Sequence, residues 1–142
     1  MKIMITGCHG QLGNELQSII ASGKSEIGAI PEAVVGAQVF PVDIDTLDIT
    51  DMSAVSDFVS QNKPDVIINC AAMTNVDGCE SDYKTAFKVN ALGVKNLAVC
   101  AENIGAKFIH VSTDYVFAGN GTKPYCEWDK TDPQSVYGAS KA

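Results

Sequence analysis

The sequence predicts an α/β fold built on one doubly wound parallel sheet, with helices on both faces in a three-layer αβα arrangement. Three observations carry this. Strand-like apolar runs alternate with stretches of helical periodicity. A glycine-rich turn joins the first strand directly to the first helix. The runs Val66–Cys70 and Phe108–Ser112 read as strands buried on both faces of a parallel sheet.

Taken in order, Lys2–Thr6 is the first strand, and Gln11–Ala21 is a helix with Leu12, Leu16, Ile19 and Ile20 on one face. Ser22–Gly36, with three glycines and a proline, reads as a loop. Gln38–Val42 is a short strand ending at Asp43. Thr50 or Asp51 caps a helix carrying Val55, Phe58 and Val59. After Pro64 comes the strand Val66–Cys70. Ser81 or Asp82 then caps one long helix reaching about Asn103, ended by Gly105. Phe108–Ser112 is the fourth strand, 114–134 is loop, and Ser135 or Val136 starts a final helix. The doubly wound order places the strands starting near residues 38, 2, 66 and 108 side by side.

Gly7-Cys8-His9-Gly10-Gln11-Leu12-Gly13 has the form G-x-x-G-x-x-G between strand and helix. Gly7 permits the tight turn, Gly10 lets backbone approach a pyrophosphate, and Gly13 lets the helix pack closely. The helix N-terminus offers N–H groups and partial positive charge to phosphate. Asp43, at the end of the second strand, can accept bonds from an adenosine ribose and repel a 2′-phosphate. All 10 basic residues are lysine, so no arginine is present to clamp a 2′-phosphate. NADH is therefore favoured over NADPH.

Tyr137 and Lys141 stand at i and i+4, on one face of the final helix. A lysine ammonium favours a neighbouring tyrosinate, which makes such a phenol an acid usable near neutral pH. Thr113 lies just past the fourth strand, at the strand end where ligands bind in open α/β sheets. Its hydroxyl can hold a substrate carbonyl while Tyr137 protonates the oxygen.

The composition excludes several classes. The formal charge of −7 disfavours nucleic acid and anionic membranes as partners. No apolar run approaches the roughly 20 residues that span a bilayer, and no secretory leader is evident, so the cytoplasm is expected. The 5 cysteines are odd in number and none are paired as C-x-x-C, so neither a disulfide framework nor a zinc site is expected.

Six segments together resemble the dTDP-4-dehydrorhamnose reductase family of extended short-chain dehydrogenases/reductases: Thr6–Gly13, Leu47–Asp51, Pro64–Glu80, Val89–Gly93, Ser112–Gly119 and Val136–Lys141. They occur in family order over nearly the whole chain. The resemblance implies an NAD(P)-binding Rossmann domain over residues 1–142. The implied reaction is reduction of the 4-keto group of dTDP-4-dehydro-L-rhamnose by NAD(P)H, giving dTDP-L-rhamnose for cell-wall polysaccharide. It implies that Gly10, Gln11 and Leu12 line the pyrophosphate, that Asp43 meets the ribose, and that Asp48 and Ile49 flank the adenine. Ala72, Met73 and Thr74 fall along the ribose and nicotinamide, and Val111 touches the nicotinamide end. Tyr137 and Lys141 do the chemistry, Lys141 also bonding the nicotinamide ribose, while Thr113 and Asp114 face the sugar. Asn90 is implied as a link to Lys141 through water or backbone, with a plain helix-packing amide as the alternative. His9 is expected to face solvent and His110 to be a satisfied core histidine.

The resemblance implies family members about twice as long as this chain. The resemblance therefore implies that the C-terminal substrate lobe is missing and that the isolated chain is inactive. It allows a homodimer, and magnesium in a full-length parent, where Glu15 matches an acidic position; a lone carboxylate makes no metal site by itself. Two other readings stay open. One is another nucleotide-sugar reductase or an epimerase. The other is a non-catalytic dinucleotide-binding regulatory subunit related to the partner of methionine adenosyltransferase.

Overall fold

The alternating apolar residues of the first strand decide the layering. In the computed structural model, which describes residues 1–142, β1 (Lys2–Thr6), β2 (Gln38–Val42), β3 (Val66–Asn69) and β4 (Lys107–His110) form one parallel sheet in the order β2-β1-β3-β4. The order expected from the sequence holds. Ile3 pairs with Val39 on one side and Val66 on the other, and Asn69 pairs with His110.

The chain divides into two compact units. The first comprises Met1–Ala71 with Gly93–Val111, the second Ala72–Leu92 with Ser112–Ala142.

The first unit holds the whole sheet. Ile3 and Ile5 point to one face and form a core with Ile20 of α1 (Gln11–Ser22), joined by Leu16, Val39, Val66 and Ile68. Strand alternation sends the fully buried Met4 and Ile67 to the opposite face. α2 (Met52–Asn62) buries Val55 and Val59, and α5 (Val94–Ile104) buries Leu97, Cys100 and Ala101. α5 packs on β3, on β4 and on α2. Asp51 caps α2 as expected, its carboxylate accepting from the N–H groups of Ser53 and Ala54. Gly105, in the left-handed region at φ 71°, ends α5. β4 stands at the end of the sheet that these 142 residues form, with Ile109 40% and Val111 41% exposed.

The second unit is built from short helices: α3 (Val76–Ser81), α4 (Tyr83–Phe87) and α6 (Val136–Lys141). α6 packs against α3, α4 and the 3₁₀ turn at Asp114–Val116. The single long helix expected between residues 81 and 103 is broken. Asp82 leaves helical geometry at φ −129°, ψ 64° and caps α4 through the Thr85 N–H, while Asn75 starts a separate turn before it. Lys88–Gly93 is then π-helical rather than α-helical. Inserted π turns of this kind are found mostly where a side chain has a special task; here it is Asn90.

Candidate functional site

The glycine turn in the first unit is shaped by what cannot fit beside it. Gly7 sits at φ 64°, and a Cβ there would lie 2.7 Å from the Ala71 backbone nitrogen. A Cβ on Gly13 would lie 2.3 Å from the Gly7 carbonyl oxygen. Gly13 thus lets α1 close onto the turn itself, more than onto the sheet. Around Gly10 space is more open, and no side chain caps the first turn of α1, where Gln11 and Leu12 are exposed. An uncapped helix start behind a glycine turn suits an anion.

Two residues that sequence reasoning overlooked hold this turn. Asn14 Nδ2 donates to the His9 carbonyl at 2.9 Å. Gln17 Nε2 donates to the carbonyls of Cys8 and Gly13 at 2.9 and 3.0 Å. Their place in α1, directly after Gly13 and one turn beyond it, was the available signal.

Asp43 stands beside the same turn. Its carboxylate accepts the His9 N–H at 2.9 Å and the Ile44 N–H at 2.9 Å. Partial burial works against its charge, but the two N–H donors and the His9 ring outweigh that and hold the carboxyl below its usual range. It is therefore an anion with defined orientation at the end of β2. Asp48 is half-buried and folded on itself, accepting from the Thr50 N–H and hydroxyl. Ile49 is buried, with its carbonyl taking a bond from Asn96. Val111, beyond β4, is partly exposed and bonds the Asn69 carbonyl through its N–H.

A polar row crosses the sheet at the carboxyl ends of its strands. Thr6 Oγ1 donates to Asn69 Oδ1, and Asn69 Nδ2 meets His110 Nδ1 at 3.0 Å. His110 is accordingly a partnered strand histidine. The recessed surface lined by Lys63, Pro64, Asp65, Ile104 and Gly105 lies at the other strand ends and has no part in this chemistry.

In the second unit, α6 carries Tyr137 and Lys141 one turn apart on one face. Four contacts anchor it. Ser135 caps it through the Gly138 N–H. The Val136 N–H donates to Glu80 Oε1 at 2.8 Å. A Cβ on Gly138 would lie 2.2 Å from the Tyr115 carbonyl oxygen, so glycine brings α6 against that backbone. The Tyr115 and Tyr137 rings meet edge to face at 5.6 Å.

The last anchor is Asn90, 2% exposed. Its Oδ1 accepts the Met73 N–H at 2.8 Å, and its Nδ2 donates to the Met73 carbonyl at 3.1 Å and to Ser140 Oγ at 2.9 Å. Of the two alternatives expected for Asn90, the arrangement is nearer to the helix-packing amide: it is a clasp joining the 72–74 segment to α6 through Ser140, which passes the bond on to the Tyr137 carbonyl. Ala72 and Met73 are half-buried and Thr74 is exposed. Burial lowers the Lys141 ammonium below its ordinary range. The Thr113 hydroxyl accepts the Tyr115 N–H at 3.2 Å and donates to Asp114 Oδ1 at 3.1 Å, so it serves as the cap of the following turn as well.

The model of the RmlD substrate binding domain matches residues 1–142. The chain belongs to this family. Among its relatives, the dTDP-4-dehydrorhamnose reductase of Burkholderia thailandensis is 42% identical over 99% of this chain and 43% of its own length. The solved structure of a dTDP-4-dehydrorhamnose reductase from Clostridium acetobutylicum is 46% identical, with a TM-score of 0.87 over 99% of this chain and 46% of that one. A Bacillus anthracis reductase solved in complex with NADP is 38% identical, with a TM-score of 0.85 and coverage of 99% and 46%. The RmlD-family chain thus spans less than half the length of these relatives, always with a Rossmann-like α/β fold. No helix in it is long and apolar enough to cross a membrane.

Proposed function

We propose that this chain is the dinucleotide-binding part of an NAD(P)H-dependent nucleotide-sugar reductase, acting on dTDP-4-dehydro-L-rhamnose to give dTDP-L-rhamnose. The observation that carries the reading is the Tyr137–Lys141 face of α6, which Ser135, Glu80, Gly138 and Asn90 together anchor.

The donor set in the first unit fits a dinucleotide. The uncapped start of α1 and the Gly7–Gly13 turn suit the pyrophosphate, and ionised Asp43 suits the ribose hydroxyls. Bound NAD(P)H supplies a hydride to the keto carbon. The Thr113 hydroxyl turns its one proton from Asp114 to the keto oxygen, and Tyr137 Oη gives its proton to that oxygen as the carbon is reduced. Lys141 lends its positive charge to the tyrosinate left behind, which regains a proton from solvent. Asn90 and Ser140 hold the helix in place while this happens.

NADH is the favoured donor, because Asp43 repels a 2′-phosphate and the chain has no arginine to accept one. Calorimetric titration of the chain with NADH and NADPH tests this: tighter NADH binding is expected, with the difference shrinking in Asp43→Asn. A clear preference for NADPH that survives Asp43→Asn overturns the ribose assignment.

A further inference from the structure

Outside the reductase chemistry, one group of side chains has a donor set that no step above requires. Cys8 Sγ, a His9 ring nitrogen and an Asp43 carboxylate oxygen all lie within 4.8 Å of one another. They come from two segments, the glycine turn and the end of β2, which the Cys8 N–H ties together by bonding the Val42 carbonyl at 3.2 Å.

We propose that Cys8, His9 and Asp43 form a three-ligand site for a borderline-soft divalent cation of the zinc class, and that a cation there excludes the adenosine ribose and so competes with dinucleotide. The second half rests on the assignment of Asp43 to the ribose; the first does not.

The chemistry of the donors supports the class of ion. One thiolate, one imidazole and one carboxylate suit zinc or cobalt and not magnesium or calcium, which prefer oxygen throughout. Around a tetrahedral ion with bonds of about 2.0–2.3 Å, neighbouring donor atoms stand about 3.3–3.8 Å apart. His9 Nδ1 and Asp43 Oδ2 are already 3.8 Å apart. The remaining separations close by less than about 1.5 Å, which a side-chain rotation covers. The His9 side chain is 68% exposed and can turn, whereas Cys8 is buried and Asp43 is held by two backbone bonds. His9 is thus the freest donor, rotation of the Cys8 thiol about Cα–Cβ closes its gap to Asp43, and the fourth position stays open to water.

The field also favours a cation. Asp43 and Asp45 place negative charge beside Cys8. A divalent ion reverses that local charge, and on binding the S–H bond breaks, the S–metal bond forms and one proton leaves to solvent. The chain as a whole carries −7.

Cobalt(II) is the probe, added to the reduced, nucleotide-free chain in a Cys126→Ser background, since Cys126 is the exposed thiol. A thiolate-to-cobalt absorption band saturating at one ion per chain is expected. It should vanish in Cys8→Ser and need on the order of tenfold more cobalt in His9→Ala, a substitution at an exposed side chain that leaves the fold intact. No thiolate band in a chain with native circular dichroism overturns the site, and so does a band indifferent to both substitutions. Zinc should then raise the apparent Kd for NADH in the parent chain and lose that effect in His9→Ala. A cobalt site that forms while zinc leaves NADH binding untouched overturns the competition and the shared place with the ribose. A cobalt site in a chain that binds no dinucleotide at all sinks the dinucleotide reading alone.

Discussion

Replacing Asn90 by alanine is expected to release α6. The Asn90 side chain makes three hydrogen bonds, two to the Met73 backbone and one to Ser140 Oγ, at 2% exposure. Each such bond contributes about 1 kcal/mol net, and a buried partner left unpaired costs about 1–3 kcal/mol, so about 3 kcal/mol is lost for the set. The loss is local, because Met73, Asn90 and Ser140 all belong to the second unit. Urea unfolding should report the destabilisation. Hydrogen exchange should show faster opening of the Met73 amide and of residues 136–141, with β1 and β3 little changed. Ser140→Ala should cost less, since it removes two bonds, with Asn90 and with the Tyr137 carbonyl, against three, and the double variant should fall short of the sum because the two share a bond. A loss under about 0.5 kcal/mol, with Met73 protection unaltered, refutes the clasp.

The other expectations follow from single contacts. Gly13→Ala places a Cβ against the Gly7 carbonyl, so it should cost about 1–3 kcal/mol in stability and weaken NADH binding, read by denaturation and calorimetry. Gly138→Ala drives a Cβ into the Tyr115 carbonyl and should loosen α6 by a similar amount, about 1–3 kcal/mol, visible in exchange of residues 136–141. Lys141 has its pKa lowered from 10.5 by burial. The unfolded chain therefore holds this proton more firmly, and in the window below 10.5 the contribution of Lys141 to stability rises with pH. Lys141→Met removes that rise, and denaturant midpoints compared across the window should show the slope of the unsubstituted chain minus that of the variant as positive.

How far these features are legible in the sequence depends on the range of the interactions that make them. The strand order and the role of Gly7 follow from local pattern, because apolar alternation and a left-handed turn are properties of a few adjacent residues. The caps at Asp51 and Ser135 were readable for the same reason. The break near Asp82 and the π turn at 88–93 were not. They answer to Asn90 meeting Met73 and Ser140, 17 and 50 residues away, and helical periodicity carries no record of such partners. Within the candidate site, Tyr137, Lys141 and Thr113 could be named from their spacing. The anchors Glu80 and Tyr115 could not, although the glycine beside Tyr137 hinted at a close backbone approach.

The most direct test of the account follows the hydrogen itself. The complete enzyme containing these residues is supplied with NADH or NADPH deuterated at the transferable position, together with dTDP-4-dehydro-L-rhamnose, and the product is read by NMR and mass spectrometry. The account predicts deuterium at C4 of the sugar, one oxidised cofactor released per sugar reduced, and a rate lowered about 10²-fold or more in Tyr137→Phe. Sugar converted without net oxidation of cofactor, or turnover unaffected in Tyr137→Phe, would contradict it.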